Sequence, residues 1–431
     1  MNQGLAQQLF QTIDSWPILD PHSHVRPQQP VAHSLADLLG YHYYTELAQS
    51  AEFEEGWWSD QAEPVTRVQA ILPKLKYLRN TIQYSWMMLI SREFLGIPAD
   101  AWQTQTAEWL VQTAQKAIDA PDYQQTILQK TGLQRIYLTN AFDEPIKSYD
   151  TNLFRPCLRV DDLVFTPATS QVATRLHTTT GCDISDLSGL KTAVREVFKR
   201  FVQAGMAYPA VSTPANLVFE PVDDVAAESM MRPMLDNLQP DSGVRDRWAS
   251  WMLQFIAGLC QEYKVPFHLM LGVTRNAYPF GVPSGKDLFP STNRIDGFDG
   301  LFNLFPKVNF PTSVLSDTSG LELTAAAWIR HNIYPSGHWW YSNNPIEIER
   351  DVRRRLELVP WNKPVAYYSD AYYLEFVLPK FRMYKFCLAK VLANAINESA
   401  QHPNREPLTT DDALAIAHAW LLDNPKRIFQ E

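Results

Sequence analysis

The stretch "WPILDPHSHVRP", residues 16 to 27, ends an apolar run abruptly in Asp20, His22 and His24. In an extended segment alternate side chains share a face, so His22 and His24 point the same way at a strand tip. Two neutral imidazoles converging there are what a divalent metal takes as its first two ligands. The plain alternative is a polar loop after an edge strand, since short motifs match often by accident. A second run, "PVAYYSDAYY" (364 to 373), reads as a buried strand that ends in Asp370. A carboxylate there is costly without a partner. His22, His24 and Asp370 together satisfy the three-ligand count of a catalytic zinc with nitrogen and oxygen donors, leaving a position for water or substrate. His268, in "PFHLMLGVTRN" (266 to 276), is open to three readings: a fourth ligand, an acid/base group beside the metal, or a histidine packed in the barrel mouth. The run "MAYPAVST" carries no lysine that could bridge two ions, which favours one metal.

Elements that could bring these residues together recur along the chain. Apolar, β-rich runs ending in polar residues occur at 16 to 24, 133 to 145, 154 to 165, 201 to 213, 266 to 276, 307 to 317, 332 to 344 and 364 to 373. Amphipathic helical segments such as "LTAAAWIRHN" and "IEIERDVRRRLELV" separate most of them. Strand alternating with helix implies parallel strands joined by right-handed crossovers. Eight such units close into a TIM-type (β/α)8 barrel, an α/β fold whose chemistry sits at the strand C-termini. The expected organisation is a single unit over 1 to 431 with two excursions. Residues 26 to 132, with helical patterns like "AWQTQTAEWLVQTAQKAI", form a helical insertion or lid after the first strand; residues 214 to 265 form a second. Excursions from a catalytic rim commonly wall the pocket. "TTDDALAIAHAWLLDNPKRIF" reads as a capped helix with a short tail.

Composition narrows the class. With 45% hydrophobic and 20% charged residues, the 431-residue chain has ample material for a large core. Net charge is -9 with both signs interspersed, so nucleic acid is not an expected partner. No apolar run approaches the ~18 residues of a membrane span, and the N-terminus lacks the cationic start and apolar block of a secretory signal. The four cysteines are far apart, which excludes a Cys-x-x-Cys centre and argues for a reducing cytoplasm. The chain is compatible with a homo-oligomer.

His-x-His after the first strand, a histidine on a middle strand and an aspartate ending the last resemble the amidohydrolase superfamily. Within it the chain resembles the uronate (glucuronate) isomerases along nearly its whole length. The stretches "YHYY" (41 to 44), "NTIQYSWMMLISREFLGI" (80 to 97), "LTNAFDEP" (138 to 145), "LRVDD" (158 to 162), "FHLMLGVTRN" (267 to 276) and "SGHWWYSNNP" (336 to 345) carry that similarity in order. The Gly-x-Trp-Trp run is the most distinctive.

The resemblance implies one divalent metal, with zinc the expected ion, and aldose–ketose isomerisation of a small acidic sugar, a hexuronate of the glucuronate or galacturonate type, through an enediol. Such a reaction needs a base and an electrophile on the developing oxyanion. Asp370 would take the ring-hydroxyl proton during opening. His42 and Tyr43 match the family's His-Tyr pair and are candidates for shuttling the C1/C2 proton. Arg159 matches an arginine that could clamp the uronate carboxylate with its planar fork, or it could pair with Asp161 or Asp162. Trp339 and Trp340 offer aromatic faces; by strand alternation one would meet the sugar and the other seal the core. The chain departs from the family's Asp-Ser-Arg motif, reading Asp370-Ala371-Tyr372. Tyrosine supplies neither the charge nor the fork of the missing arginine, which leaves Arg275 or Arg382 to compensate. The competing classes are a mononuclear hydrolase acting on a lactone or amide, and a non-catalytic binding protein on a retained barrel.

Overall fold

The structure, a computed structural model, describes residues 3–146, 149–166, 170–236, 241–283, 285–291 and 293–431. The strands are β1 (Ile18–Asp20), β2 (Leu133–Tyr137), β3 (Phe154–Arg155), β4 (Leu158–Arg159), β5 (Pro209–Pro214), β6 (His268–Val273), β7 (Phe310–Val314) and β8 (Ile333–Pro335). They form two parallel sheets, ordered β1-β2-β3 and β4-β5-β6-β7-β8. Every strand pairing is parallel, as crossover helices demand.

The two sheets join into a ring. β3 and β4 are halves of one pass through the third position, interrupted at Pro156, whose missing N–H cannot serve a ladder. Across the break, Asn140 bridges to Leu158 in parallel. On the other side Ser336 bridges to Val365, Asp370 N–H donates to the His22 carbonyl at 3.1 Å, and His24 N–H donates to the Ala371 carbonyl at 2.8 Å. The eighth position is therefore the segment around 365 to 371, and the fold is a TIM-type barrel. That segment holds only a bridge at Val365 rather than the expected regular strand, and it ends where Asp370 turns into the left-handed region at φ 52°.

Local chemistry explains the punctuation. Gly132 ends the helix Tyr123–Thr131 at φ 63°, a conformation costly for a side chain, and releases the chain directly into β2. Asn344 caps the helix Pro345–Leu358, with proline at its first position. The fourth run begins later than its sequence pattern implied. Residues 201 to 203 complete the helix Leu187–Gln203, whose buried stripe of Leu190, Val194, Val197 and Phe201 has helical spacing. The third run, expected over 154 to 165, is strand only to Arg159, and its end is helical over Asp161–Phe165.

Between β1 and β2 the chain is helical in short pieces, from Leu35–Leu39 through His42–Ala51 to Tyr123–Thr131. Among the described residues between β5 and β6 are the helices Asp224–Leu235 and Ser242–Tyr263. The C-terminal stretch runs helically from Thr410 to Phe429 rather than fraying into a tail. Phe429 packs on Tyr137 and Tyr208 with centroids 5.5 and 5.1 Å away, and Glu431 meets Arg155 at 2.7 Å, closing the barrel floor. Among the described residues no helix is long and apolar enough to cross a membrane.

Candidate active site

At the opposite end, β1 releases the chain at Asp20, and Ser23 Oγ donates to the Tyr137 carbonyl at 2.8 Å, pinning the loop to β2. His22 is buried and His24 half-buried. Their Nε2 atoms stand 3.5 and 3.4 Å from one oxygen of buried Asp370, Oδ1. Ligand atoms of the three residues all lie within 4.8 Å of one another.

This arrangement fits a metal better than it fits a hydrogen-bonded cluster. His22 Nε2 and Asp370 Oδ1, which face each other, are buried without a hydrogen-bond partner, which is costly unless something else satisfies them. Donors around a tetrahedral ion at about 2.0–2.1 Å stand about 3.3–3.4 Å apart, close to both separations seen here. Protonation also suits ligation. Burial pulls the His22 imidazole below its ordinary value, keeping it neutral. Burial alone would raise the Asp370 carboxyl, but the two imidazoles against it hold it well below the usual carboxylate range.

The three residues open into a cavity of about 300 Å³. His42 and Tyr372 flank the metal end; Arg159, Asp161, Arg275 and Asp287 line the rest of the wall, over a floor that includes Ser212 and Met270. His42 begins the helix His42–Ala51, packed among Tyr41, Tyr43, Trp340 and Tyr372 with centroids 4.8, 4.5, 5.9 and 5.9 Å away. Burial pulls it down to about 3. Tyr43 lies behind it, its hydroxyl donating to Asp370 Oδ2 at 3.4 Å. The insertion after β1 thus reaches the metal end with both residues of the His-Tyr pair.

His268 lies deeper, outside the group of three. Its ring is edge-on to His22 at 5.6 Å, and Nε2 is 3.3 Å from Ser313 Oγ. Arg159 lines the cavity while also pairing with Asp161, Nη2 to Oδ1, at 3.2 Å. Arg275 lines it too, bound to Asp287 at 2.6 Å and donating to Ser212 Oγ at 3.2 Å. Arg382 is elsewhere: it pairs with Asp14 and faces a separate cavity beside Ile18, so it cannot replace the missing strand-end arginine. Tyr372 stands where that arginine would be, nearly parallel to His24 with centroids 5.0 Å apart.

Trp339 and Trp340 depart from the alternation expectation: both line the cavity. Beyond β8 the chain is no longer a strand. Trp340 adopts φ 49° and opens the short turn Trp340–Ser342, which brings both indoles to one side. Gly337, at φ 50°, lets the chain pass against Tyr368; a Cβ there would sit 1.8 Å from the ring.

Two buried groups behind the site, Asp20 and Lys380, were given no role from the sequence. Asp20 is buried, accepts Ser369 N–H at 2.8 Å and the Ser369 hydroxyl, and is pushed up to about 7 by burial. Lys380 is buried on the helix Val377–Gln401, and burial pulls it down to about 7. A lysine within the otherwise apolar "FVLPKF" was the available signal, since a helix face that apolar is turned inward.

The chain resembles known proteins in fold and in sequence. A family model for glucuronate isomerase matches residues 1–315. Comparison with curated protein sequences returns no match. Among solved structures, the uronate isomerase of Thermotoga maritima superposes with TM-score 0.88 at 17% identity, covering 99% of this chain and 97% of that one. The glucuronate isomerase of Caulobacter crescentus gives 0.87 at 16% identity, covering 99% and 94%. A uronate isomerase of Bacillus halodurans gives 0.78 at 20%, covering 100% and 97%. At these identities the superpositions establish the shared barrel, while the sequence match reaches from the His-x-His through β7. The family match spans well over half of the chain, which therefore belongs to the glucuronate isomerase family.

Proposed function

We propose that the chain interconverts the aldose and ketose forms of a hexuronate of the glucuronate or galacturonate type, with one zinc ion held by His22, His24 and Asp370. The carrying observation is that this donor set shares one cavity with two guanidinium groups, Arg159 and Arg275. When bound, the divalent ion supplies Lewis acidity toward the sugar's carbonyl and hydroxyl oxygens.

The chain's own groups do the rest. Asp370 is ionised and accepts the ring-hydroxyl proton as the sugar opens; Tyr43, donating to its other oxygen, orients it. His42 is neutral at physiological pH and moves the proton between C2 and C1 through the enediol. Arg159 takes the carboxylate, with Arg275 as the second cation on the wall that lacks the strand-end arginine. His268 supports His22 from below, and Trp339 and Trp340 meet the sugar's C–H face. Residues 26 to 132 act as wall and lid over a single catalytic unit, working in the cytoplasm.

The test is metal analysis of the purified chain, followed by incubation with D-glucuronate and D-galacturonate in deuterium oxide. Ketose carrying solvent deuterium at C1 is the expected product. No conversion of any hexuronate, together with cleavage of lactones or amides, would move the site to the hydrolase class; metal binding with no turnover of either would leave a binding protein.

A further inference from the structure

Asp370 is held in a conformation that a non-glycine residue rarely adopts, φ 52°, in the middle of the site. Something must over-determine that turn. The contacts around it converge on one side chain from the helix that follows, Val377–Gln401. Lys380 Nζ donates to the Ser369 carbonyl at 2.8 Å and to the Tyr41 hydroxyl at 2.8 Å. Tyr41 in turn donates to the Asp370 carbonyl, also at 2.8 Å. Two consecutive carbonyls at the turn are therefore anchored by one ammonium, one directly and one through a phenol. Asp20 holds the same turn from the β1 side by accepting Ser369 N–H.

Burying this lysine is otherwise unexplained. It is fully buried, and its ammonium lies 4.8, 4.9, 5.0 and 6.0 Å from the ring centres of Tyr41, Tyr43, Trp86 and Phe376. An aromatic cage partly offsets the loss of water around a cation, and the two oxygen acceptors supply directional hydrogen bonds. Tyr41 and Tyr43 belong to the insertion, while Ser369 and Asp370 belong to the barrel, so Lys380 ties the two together behind the metal end.

We infer that Lys380, acting through Tyr41 and the Ser369 carbonyl, is a positioning residue that aims the Asp370 carboxylate at the metal. It does not touch the cavity, and its effect passes through the backbone of residues 369 and 370. The inference rests on the reading of Asp370 as a metal ligand, so the test separates the two.

Full-length wild type, Lys380→Met, Tyr41→Phe and His22→Ala are loaded with zinc. Each is followed for melting temperature, metal retention against a competing chelator, and kcat and KM for the turned-over hexuronate. Lys380→Met and Tyr41→Phe should each weaken metal retention roughly 10–100-fold and lower kcat, with KM little changed, as losing an orienting partner of a ligand does. The double variant should lose less than the sum of the two singles, because Lys380 and Tyr41 are bonded to each other and support the same turn. Tyr41→Phe removes one hydroxyl and keeps the packing, so it carries the test if Lys380→Met does not fold. Wild-type metal retention and kcat in folded Tyr41→Phe or Lys380→Met overturn the inference, provided His22→Ala loses its metal. Full metal in His22→Ala overturns the metal assignment instead.

Discussion

The two sides of the barrel mouth are built differently. At the metal end, His22 and Asp370 are buried, His22 Nε2 and Asp370 Oδ1 lack partners, and the backbone around them is tied down by Asp20, Tyr41 and Lys380. At the other side, Arg159 and Arg275 are nearly half exposed, and each is already paired with an acid, Asp161 or Asp287. The first arrangement leaves binding capacity unmet and costs little reorganisation when an ion arrives. The second holds charge in reserve, with a ligand's carboxylate competing against resident carboxylates and water. Interactions of the first kind should be close to all-or-none, and those of the second graded.

The largest expected effect is therefore at the metal end. His22→Ala should empty the site and abolish isomerisation while the barrel stays folded, because the residue follows β1 rather than lying within it; elemental analysis and circular dichroism check this. Full metal occupancy in that variant would break the contrast.

Next comes Arg159→Ala. It should lower kcat/KM for a hexuronate by an amount equivalent to about 2 kcal/mol, short of the top of the range for a charge-assisted hydrogen bond because much of the side chain stays in water. Metal content should not move. A loss as complete as that of His22→Ala would mean that the two sides are not graded differently after all.

Arg275→Ala should cost less, about 1 kcal/mol expressed mainly in KM, since Asp287 already satisfies one arm of the guanidinium. Asp287→Asn sharpens the comparison: freeing Arg275 should tighten hexuronate binding, read as a lower KM. An unchanged KM in both variants would remove Arg275 from the carboxylate site.

The smallest expected change is in pH. Burial holds the His42 imidazole at about 3, below its ordinary 6.5. A base works in its deprotonated form, so His42 stays competent as pH falls through 6.5, and the acid limb of kcat/KM should not be set by it there. A limb near 6.5 that shifts in His42→Gln would contradict the burial argument.

Much of this was legible from pattern alone, and for identifiable reasons. All eight strand positions carry apolar runs because a barrel interior excludes water on one face and helices do so on the other. His22, His24 and Asp370 were visible because polar residues closing apolar runs mark strand ends. Boundaries were less visible: "FVQ" at 201 to 203 is apolar enough for a strand but completes a helical stripe begun at Leu187.

Sequence by itself determined the residue types at the barrel rim, the alternation of strand and helix, and the absence of an arginine two residues after Asp370, since each depends only on local order along the chain. Tertiary structure alone decided what those residues face. The left-handed turn at Asp370, the turn at Trp340 that sends both indoles into the cavity, and the burial of Lys380 behind Tyr41 each depend on contacts between segments far apart in the chain. The diversion of Arg382 to Asp14 follows the same rule. Long, flexible side chains such as Arg382 and Lys380 take partners that folding brings within reach, and nothing in their own neighbourhood of sequence specifies that choice.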